Sequence, residues 1–186
     1  MKYTLEAPFD DEKIKMLKAG DTVRINGIIY TARDAAHKKM ISLINEGKSL
    51  PFDIRNQIIY YVGPCPARPG EVIGSAGPTT SSRMDAYAPK LIELGLKGMI
   101  GKGLRSKAVV DAMKTYNAVY LGAIGGAGAL IARSIVAQDI IAFPELGTEA
   151  IRKLTVKDFP VVVIIDSNGD DLYRTGRDKY RALDQV

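Results

Sequence analysis

The N-terminal third of the chain changes repeatedly between strand-like and helix-like patterns of apolar residues. Apolar and polar positions alternate in YTLEAPF and again in DTVRINGIIYTA, where Asn26-Gly27 predicts a hairpin between two antiparallel strands. Between these segments, DDEKIKMLKAG starts with acidic residues and stops at a glycine, which is typical of a short helix. We therefore expect a strand, a helix and a hairpin in this order.

A second helix and a buried strand follow. Asp34 is placed to cap AAHKKMISLINEGK, in which apolar residues recur at helical spacing. Residues 57–62 predict a buried strand, and EVIGSAG predicts a further short one. SSRMDAYAPKLIELGLK has a helical pattern, in which its proline either begins a second helix or kinks one.

Strands and helices continue to alternate in the second half of the chain. GMIG and AVYLGA predict strands, SKAVVDAMKTYN predicts a helix, and GGAGALIARSI predicts a turn with a short helix. TEAIRKL then predicts a helical turn.

The C-terminal part closes the pattern with a buried strand at residues 161–165 and a hairpin turn at residues 166–169. Strands that alternate with helices, with hairpins at both ends, indicate an α/β fold with a mixed sheet. The chain contains no repeat and no low-complexity linker. We therefore expect residues 1–186 to form a single domain.

One segment requires a test for a membrane helix. Residues 115–132 are 18 positions without a charge, which is close to the minimum length of a spanning helix. The segment contains four glycines, starts with polar residues and is followed at once by Arg133. We interpret it as a buried strand followed by a glycine-rich turn, and we expect no membrane association.

The charge pattern argues against a nucleic-acid-binding protein. The chain has 26 Lys and Arg residues against 21 Asp and Glu, a formal net charge of +5, and both signs are interleaved along its whole length. A nucleic-acid interface usually gathers its basic residues in a patch or stripe. A local pocket for a small anion is the better expectation.

Cysteine and histidine are nearly absent. Cys65 is the only cysteine, so an internal disulfide is excluded and a reducing, cytoplasmic location is expected. With one cysteine and one histidine, this chain cannot by itself complete a structural zinc or iron–sulfur site. The N-terminus has no apolar core of signal-peptide length, so we do not expect secretion.

The loop GPTTSSR, residues 77–83, lies where a strand leads into a helix. Free backbone N–H groups and the positive end of a helix dipole would meet there, and Arg83 with the hydroxyl groups would complete an anion site. Alternatively, Ser81 or Ser82 only caps the helix. The loop lacks the Gly-Lys-Ser/Thr ending of a phosphate-binding loop, and both interpretations stay open.

The glycine-rich run GAIGGAG, residues 122–128, does not have the Gly-x-Gly-x-x-Gly spacing of a dinucleotide site. Close packing of the backbone is the preferred interpretation.

Two further segments carry cations. TARDAAH, residues 31–37, again joins a strand to a helix, so Arg33 and Arg83 occupy equivalent positions. Two arginines on one rim suit a dicarboxylate, because each guanidinium can donate two parallel hydrogen bonds to a carboxylate. Lys102, between glycines in MIGKGLR, is a third candidate cation, and the alternative for it is an ordinary exposed turn.

Three segments in series resemble a known family. GDTVRINGIIYTARDAAHKKM, IIYYVGPCPARPGEVIGSAGPTTSSRMD and GMIGKG are similar in order and spacing to the β subunit, or C-terminal domain, of class I iron–sulfur fumarate hydratases and L-tartrate dehydratases. The resemblance covers about residues 1 to 175 and does not separate the two substrates.

The resemblance implies a fold, a partner and a cofactor. The fold is a swivelling β/β/α domain that closes over an α subunit carrying a [4Fe–4S] cluster on three cysteines. The cluster ligands belong to the partner, so this chain is expected to bind no metal and to be inactive alone. The activity implied is hydro-lyase activity, the reversible hydration of fumarate to L-malate.

The resemblance also implies roles for residues. It assigns Arg33, Arg83 and Lys102 to substrate binding and Thr79 to proton transfer. Asp34 and His37 are expected to orient Arg33 or to support the interface, and Gly77 to support the loop.

The sequence leaves the exact function, the role of Cys65 and self-association open. L-tartrate dehydratase activity and a non-catalytic anion-binding or assembly module stay as alternative functions. Cys65 is expected to be structural, with a position near the cluster as the alternative. Self-association of the isolated chain through an uncovered apolar surface also stays open.

Overall fold

The structure is a computed structural model that describes residues 1–180. In this part of the chain, the protein forms a mixed seven-stranded sheet and six α-helices. The strands are β1 Lys2–Glu6, β2 Thr22–Thr31, β3 Ile58–Tyr60, β4 Gly98–Gly101, β5 Val119–Gly122, β6 Ile135–Ala142 and β7 Ile151–Ile165. The helices are α1 Asp11–Met16, α2 Asp34–Asn45, α3 Ala88–Glu93, α4 Lys107–Tyr116, α5 Gly128–Ala132 and α6 Leu172–Tyr180. Ser81–Met84 and Pro144–Glu149 form 3-10 helices.

Five strands of the sheet close into a barrel. Strands β2, β3, β4 and β5 follow one another in parallel. The long strand β7 pairs antiparallel with β5 on one side and with β2 on the other, which completes the ring. β1 and β6 add to the outside of this ring through β2 and β7. The α/β class with a mixed sheet is thus confirmed.

Side chains alternate between two cores because successive residues of a strand point to opposite faces. Ile58, Tyr60 and Val62 belong to the core inside the barrel. Ile59 and Tyr61 belong to a second core, between the barrel and helices α2, α3 and α4. Tyr120 on β5 also lies in this second core, beneath the loops that carry the candidate site.

The hairpin predicted at Asn26-Gly27 is wrong, because β2 continues from Thr22 to Thr31 without a turn. A type I′ turn needs positive φ at both central residues, and of these two only Gly27 has it, with φ 97°. Gly27 instead marks a bulge, where the register against β7 shifts between Ile25 and Gly27. The local signal was overridden because strands on both sides of β2 supply its partners.

Two further predictions are wrong. EVIGSAG forms a loop, which backbone hydrogen bonds from Cys65 N to Ser75 O (2.9 Å) and from Gly74 N to Cys65 O (3.2 Å) hold against the GPCP segment. TEAIRKL is helical only up to Glu149, and β7 begins at Ile151. For the second segment, pairing with β2 and β6 decided the structure.

The turn predicted at residues 166–169 forms, but it leads into α6 and not into a second strand. The Asp166 carboxylate accepts hydrogen bonds from Asn168 N (2.9 Å) and Asp170 N (3.2 Å), which stabilises the turn. The only pairing beyond it within the described residues is an isolated bridge between Ile165 and Asp171. Helix α6 was not predicted.

Most of the remaining elements are confirmed, including β4, α4, β5 and α5. Pro89 lies in the first turn of α3, so it begins a second helix. Arg33 and not Asp34 is the N-cap residue of α2, and Asp34 is its first residue. Residues 115–132 contain the end of α4, the buried strand β5, a turn and α5. Within residues 1–180, no helix has the length and apolar character needed to cross a membrane.

Candidate active site

The candidate residues lie at one edge of the barrel. Arg33 follows β2, the GPTTSSR loop packs beside the end of β3, and Lys102 follows β4. The glycine-rich run follows β5, which is the next parallel strand. Because the carboxyl ends of parallel strands meet at the same edge, four segments that are distant in sequence come together here.

Backbone hydrogen bonds join Thr79 to Lys102. Thr79 N donates to Tyr61 O (2.7 Å), just after β3. Lys102 N donates to Thr79 O (3.3 Å), and Ser81 N donates to Lys102 O (2.8 Å). The two loops therefore lie side by side like short parallel strands, with Thr80 opposite Lys102.

Asp34 holds the two arginines together. Arg83 Nε donates to Asp34 Oδ1 at 2.8 Å, and Arg33 Nη2 lies 3.7 Å from Asp34 Oδ2. On its other side, Arg33 Nε lies 3.3 Å from Glu149 Oε1. One carboxylate thus sets the distance between the guanidinium groups, and each guanidinium has more donors than these contacts use.

Two glycines lie beside the cations. A Cβ atom on Gly63 would lie 2.7 Å from Arg33 Nη1, so only glycine lets the Arg33 side chain lie across the loop after β3. Gly125 lies beside Lys102, where a Cβ atom would be 3.6 Å from Lys102 Cδ and 4.0 Å from its Nζ. The glycine-rich run is therefore a wall of the same site.

Gly77 packs against the glycine-rich run. Ala76 N donates to Gly128 O (3.1 Å), and a Cβ atom on Gly128 would lie only 2.8 Å from Gly77 N. This confirms close backbone packing as the interpretation of the run. It also places Gly77 where it fixes the start of the GPTTSSR loop.

His37 is buried beneath Arg33. Its Nδ1 lies 2.8 Å from Arg33 O, which also accepts the backbone N–H of His37. Burial, assisted by the positive charge of Arg105, lowers the pKa of His37 to about 4 although the contact with Arg33 O opposes the shift. The imidazole is therefore neutral near pH 7 and holds the backbone of Arg33 in place.

Three buried tyrosines lie under the loops. Tyr60 donates its hydroxyl hydrogen to Ala76 O, and Tyr120 contacts Ser81 Oγ and Gly103 O, each at 2.9 Å. Burial raises the pKa of Tyr60, Tyr61 and Tyr120, so all three hydroxyl groups stay protonated near neutral pH. Through these hydrogen bonds Tyr60 and Tyr120 support the loops.

Glu149 was not identified from the sequence. It ends a 3-10 helix and is 116 positions beyond Arg33, and nothing in its local sequence points to the Arg33 guanidinium. A barrel closed by β7 brings it to the site, and such a closure has no short-range signal. Asp85 and Arg105 were also missed, although they lie in the same motifs as Arg83 and Lys102.

No metal site is built from these residues. Within residues 1–180, no group of three or more His, Cys, Asp and Glu side chains is placed to hold a metal ion. Cys65, the only cysteine of the chain, is exposed in the loop after β3. A [4Fe–4S] cluster held by three cysteines therefore does not fit this chain.

The chain is thus a closed α/β barrel domain with arginine, threonine and lysine at one edge. Comparison with known proteins gives the family of this domain. A family model described as "Fumarase C-terminus" matches residues 1–176. The chain therefore belongs to the fumarase C-terminal domain family.

Individual relatives are of two lengths. The chain is 39% identical to the "Putative L(+)-tartrate dehydratase subunit beta" of Methanocaldococcus jannaschii over all of this chain and 98% of that protein. It is 43% identical to "Fumarate hydratase class I, anaerobic" of Escherichia coli over 94% of this chain and 32% of that protein. It is 39% identical to "Fumarate hydratase 2" of Leishmania major over 93% of this chain and 31% of that protein. The chain thus spans about a third of the length of these fumarate hydratases.

Proposed function

We propose that this chain is the β subunit of an iron–sulfur hydro-lyase that interconverts fumarate and L-malate, and that it contributes the dicarboxylate-binding half of the active site. The observation that carries the proposal is the arrangement of Arg33 and Arg83 on either side of Asp34, next to the paired Thr79 and Lys102 loops. Relatives named fumarate hydratase and tartrate dehydratase support it.

The three cations bind and stabilise the anion. Removal of a proton from the carbon next to a malate carboxylate builds negative charge on that carboxylate, and preorganised cations lower the energy of that state. Arg33 and Arg83 bind carboxylates through paired hydrogen bonds, whereas Lys102 acts as a compact charge. Asp34 orients both arginines, and neutral His37 holds Arg33 from below.

In this proposal, Thr79 takes part in the proton transfer. A threonine hydroxyl is a weak base and needs an activating neighbour. Among the described residues, Asp34 is not available for this role, because it is engaged by two arginines. We therefore assign the activating group to the partner subunit.

The proposal includes a partner. The α subunit carries the cluster, because the cysteine content of this chain does not fit one. Residues 1–186 then form one swivelling domain that closes over that subunit and is inactive without it. A reducing, cytoplasmic location agrees with a single exposed thiol.

L-tartrate dehydration is the second candidate. It is favoured by the end-to-end match with a protein named as a tartrate dehydratase β subunit, since the fumarate hydratases are about three times longer. Malate and tartrate share both carboxylates and differ in one hydroxyl group, so the cation site alone does not separate them.

Steady-state kinetics of the anaerobically reconstituted α–β pair on malate and on tartrate test the proposal. Turnover of malate with the higher kcat/KM supports the fumarate assignment, and the reverse order supports the tartrate assignment. A reconstituted pair with an intact cluster that acts on no C4 dicarboxylate overturns both.

Thermal unfolding of the pair separates an enzyme from a non-catalytic anion-binding module. A ligand that binds only the folded state raises the melting temperature. Stabilisation by malate or tartrate supports the enzyme, whereas stabilisation by phosphate alone supports the module.

A further inference from the structure

A buried ion pair lies directly beneath the candidate site. Arg105 Nε donates to Asp85 Oδ1 at 2.7 Å, and the Arg105 side chain is 0% exposed. The second carboxylate oxygen, Asp85 Oδ2, accepts the backbone N–H of Ser106 at 2.6 Å. Both oxygens of Asp85 are thus held by the segment that follows Lys102.

The two partners come from the two loops of the site. Asp85 follows the 3-10 helix Ser81–Met84, two positions after Arg83. Arg105 lies three positions after Lys102. The ion pair therefore crosslinks the segment carrying Thr79 and Arg83 to the segment carrying Lys102, on the side facing the protein interior.

Two tyrosine rings fix the Arg105 guanidinium. Its Cζ lies 5.4 Å from the Tyr61 ring centroid and 5.0 Å from the Tyr120 ring centroid, so the cation rests on aromatic faces. Gly103 O can only accept, so the Tyr120 hydroxyl donates to it and accepts from Ser81 Oγ. Tyr120 therefore adds a second link between the same two loops.

We propose that Asp85 and Arg105 are positioning residues, which set the place of the Lys102 ammonium group relative to Thr79 and Arg83. The substrate part of this inference rests on the proposed function. A buried ion pair gives little net stability compared with apolar side chains of similar size, because both charges lose their hydration. What this pair supplies is a fixed distance and orientation between two exposed loops.

Amide hydrogen exchange of the isolated chain tests the crosslink without substrate, cluster or partner. In Asp85→Asn and in Arg105→Lys, we expect amides of both loops, those of Ser81 and Lys102 included, to exchange about tenfold faster or more, because local opening then needs less free energy. Amides of β3 and β4 should change little.

Asp21→Asn is the matched control. Asp21 is also a buried carboxylate that accepts a backbone N–H, from Lys18 at 2.9 Å, but it precedes β2 and so lies at the opposite end of that strand from Arg33. This variant should leave exchange in the two loops unchanged. Faster exchange only in the loop that carries the substitution, or in neither loop, overturns the crosslink.

Kinetics of the reconstituted pair test whether the crosslink acts through Lys102. We expect Arg105→Lys to raise KM for the dicarboxylate about tenfold, and to have almost no further effect in a Lys102→Ala background, since residues that act as a unit are not additive. A merely structural role would lower kcat with the folded fraction and leave KM unchanged. Equal effects in both backgrounds overturn the positioning role.

The two proposals fail separately. If the wild-type pair with an intact cluster acts on no dicarboxylate, the proposed function fails, and hydrogen exchange still decides whether the loops are crosslinked. If the wild-type pair is active and both loops exchange normally in the variants, the crosslink fails and the proposed function stands.

Discussion

Arg83 presents half of its side chain to solvent, and its Nε donates to Asp34. An exposed ion pair contributes only about 0–1 kcal/mol to stability, so its removal affects folding little. A hydrogen-bonded contact to a bound carboxylate is worth about 1.5–3 kcal/mol. At this position binding and stability are therefore separable.

We expect Arg83→Ala to lower kcat/KM of the reconstituted pair by about tenfold to a hundredfold and to leave the melting temperature nearly unchanged. Arg24→Ala is the control. Arg24 is exposed, its Nη1 lies 4.0 Å from Asp158 Oδ1, and this pair is away from the site. Similar losses of activity in both variants would contradict the role of Arg83 in substrate binding.

His37 makes stability depend on pH. Its pKa is about 4 in the folded protein, because it is buried, against an ordinary value of 6.5, so below pH 6.5 the unfolded chain binds the additional proton. As the pH is lowered from 6.5 to 4, we expect the free energy of unfolding to decrease by up to about 1.4 kcal/mol per pH unit. Denaturant unfolding at several pH values measures this slope.

The ring resonances of His37 provide an independent check, since it is the only histidine. They should stay constant in the folded protein from pH 7.5 to pH 5. A titration midpoint near 6.5 would contradict the buried, neutral state. Asp34 and Arg105 are the charged groups with a direct effect on this pKa, and they act in opposite directions, Asp34 raising it and Arg105 lowering it.

At the scale of elements, the end of β4 packs against the 3-10 helix at one point. A Cβ atom on Gly101 would lie 2.0 Å from Ser81 Oγ, and Ser81 is buried and hydrogen-bonded to Tyr120. We expect Gly101→Ala to destabilise the protein by about 1–3 kcal/mol through overpacking, measured by denaturant unfolding. Gly125→Ala is the control, because its Cβ atom would meet Lys102 Cδ at an ordinary 3.6 Å.

The double variant Gly101→Ala, Ser81→Gly removes the clashing side chain and should recover part of the lost stability. If it is as unstable as Gly101→Ala, the contact with Ser81 is not the cause.

Elements with their own periodicity and capping could be predicted from the sequence. Helix α4 was predicted, and its end signals are local: Ser106 caps it and Asn117 ends it in the left-handed conformation, both within the segment. The first part of β7 was not predicted, because residues 151–154 become a strand only by pairing with β2 and β6. Local signals therefore located the helices better than the strands that depend on distant partners.

The candidate site follows the same division. Arg33, Thr79, Arg83 and Lys102 were proposed from motifs, and the structure brings their segments to one edge of the barrel. Glu149 and the Asp85–Arg105 pair were not found, since spacing in the sequence does not show which charges become buried together. The roles of Arg33, Thr79, Arg83 and Lys102 in the reaction stay predictions.

At the scale of the whole molecule, exposed apolar side chains lie in the same loops as the cations. Leu104 lies two positions after Lys102, Ile124 lies in the glycine-rich run, and Leu130 lies just after that run. A surface that mixes apolar residues with a charged site is typical of an interface. It agrees with the proposed closure over a partner subunit, and self-association of the isolated chain stays a prediction.

The closure of the barrel by β7 has a consequence for biosynthesis. Tyr30 pairs with Lys153, so the ring is completed by contacts between residues more than a hundred positions apart. Such long-range pairing makes folding slow, because the entropy of loop closure is lost before the contacts form. The ribosome makes the three loops that carry Arg33, Thr79 with Arg83, and Lys102 before the strand that closes the barrel. During translation, the edge of β2 that later pairs with β7 therefore stays unpaired and can pair with a wrong strand.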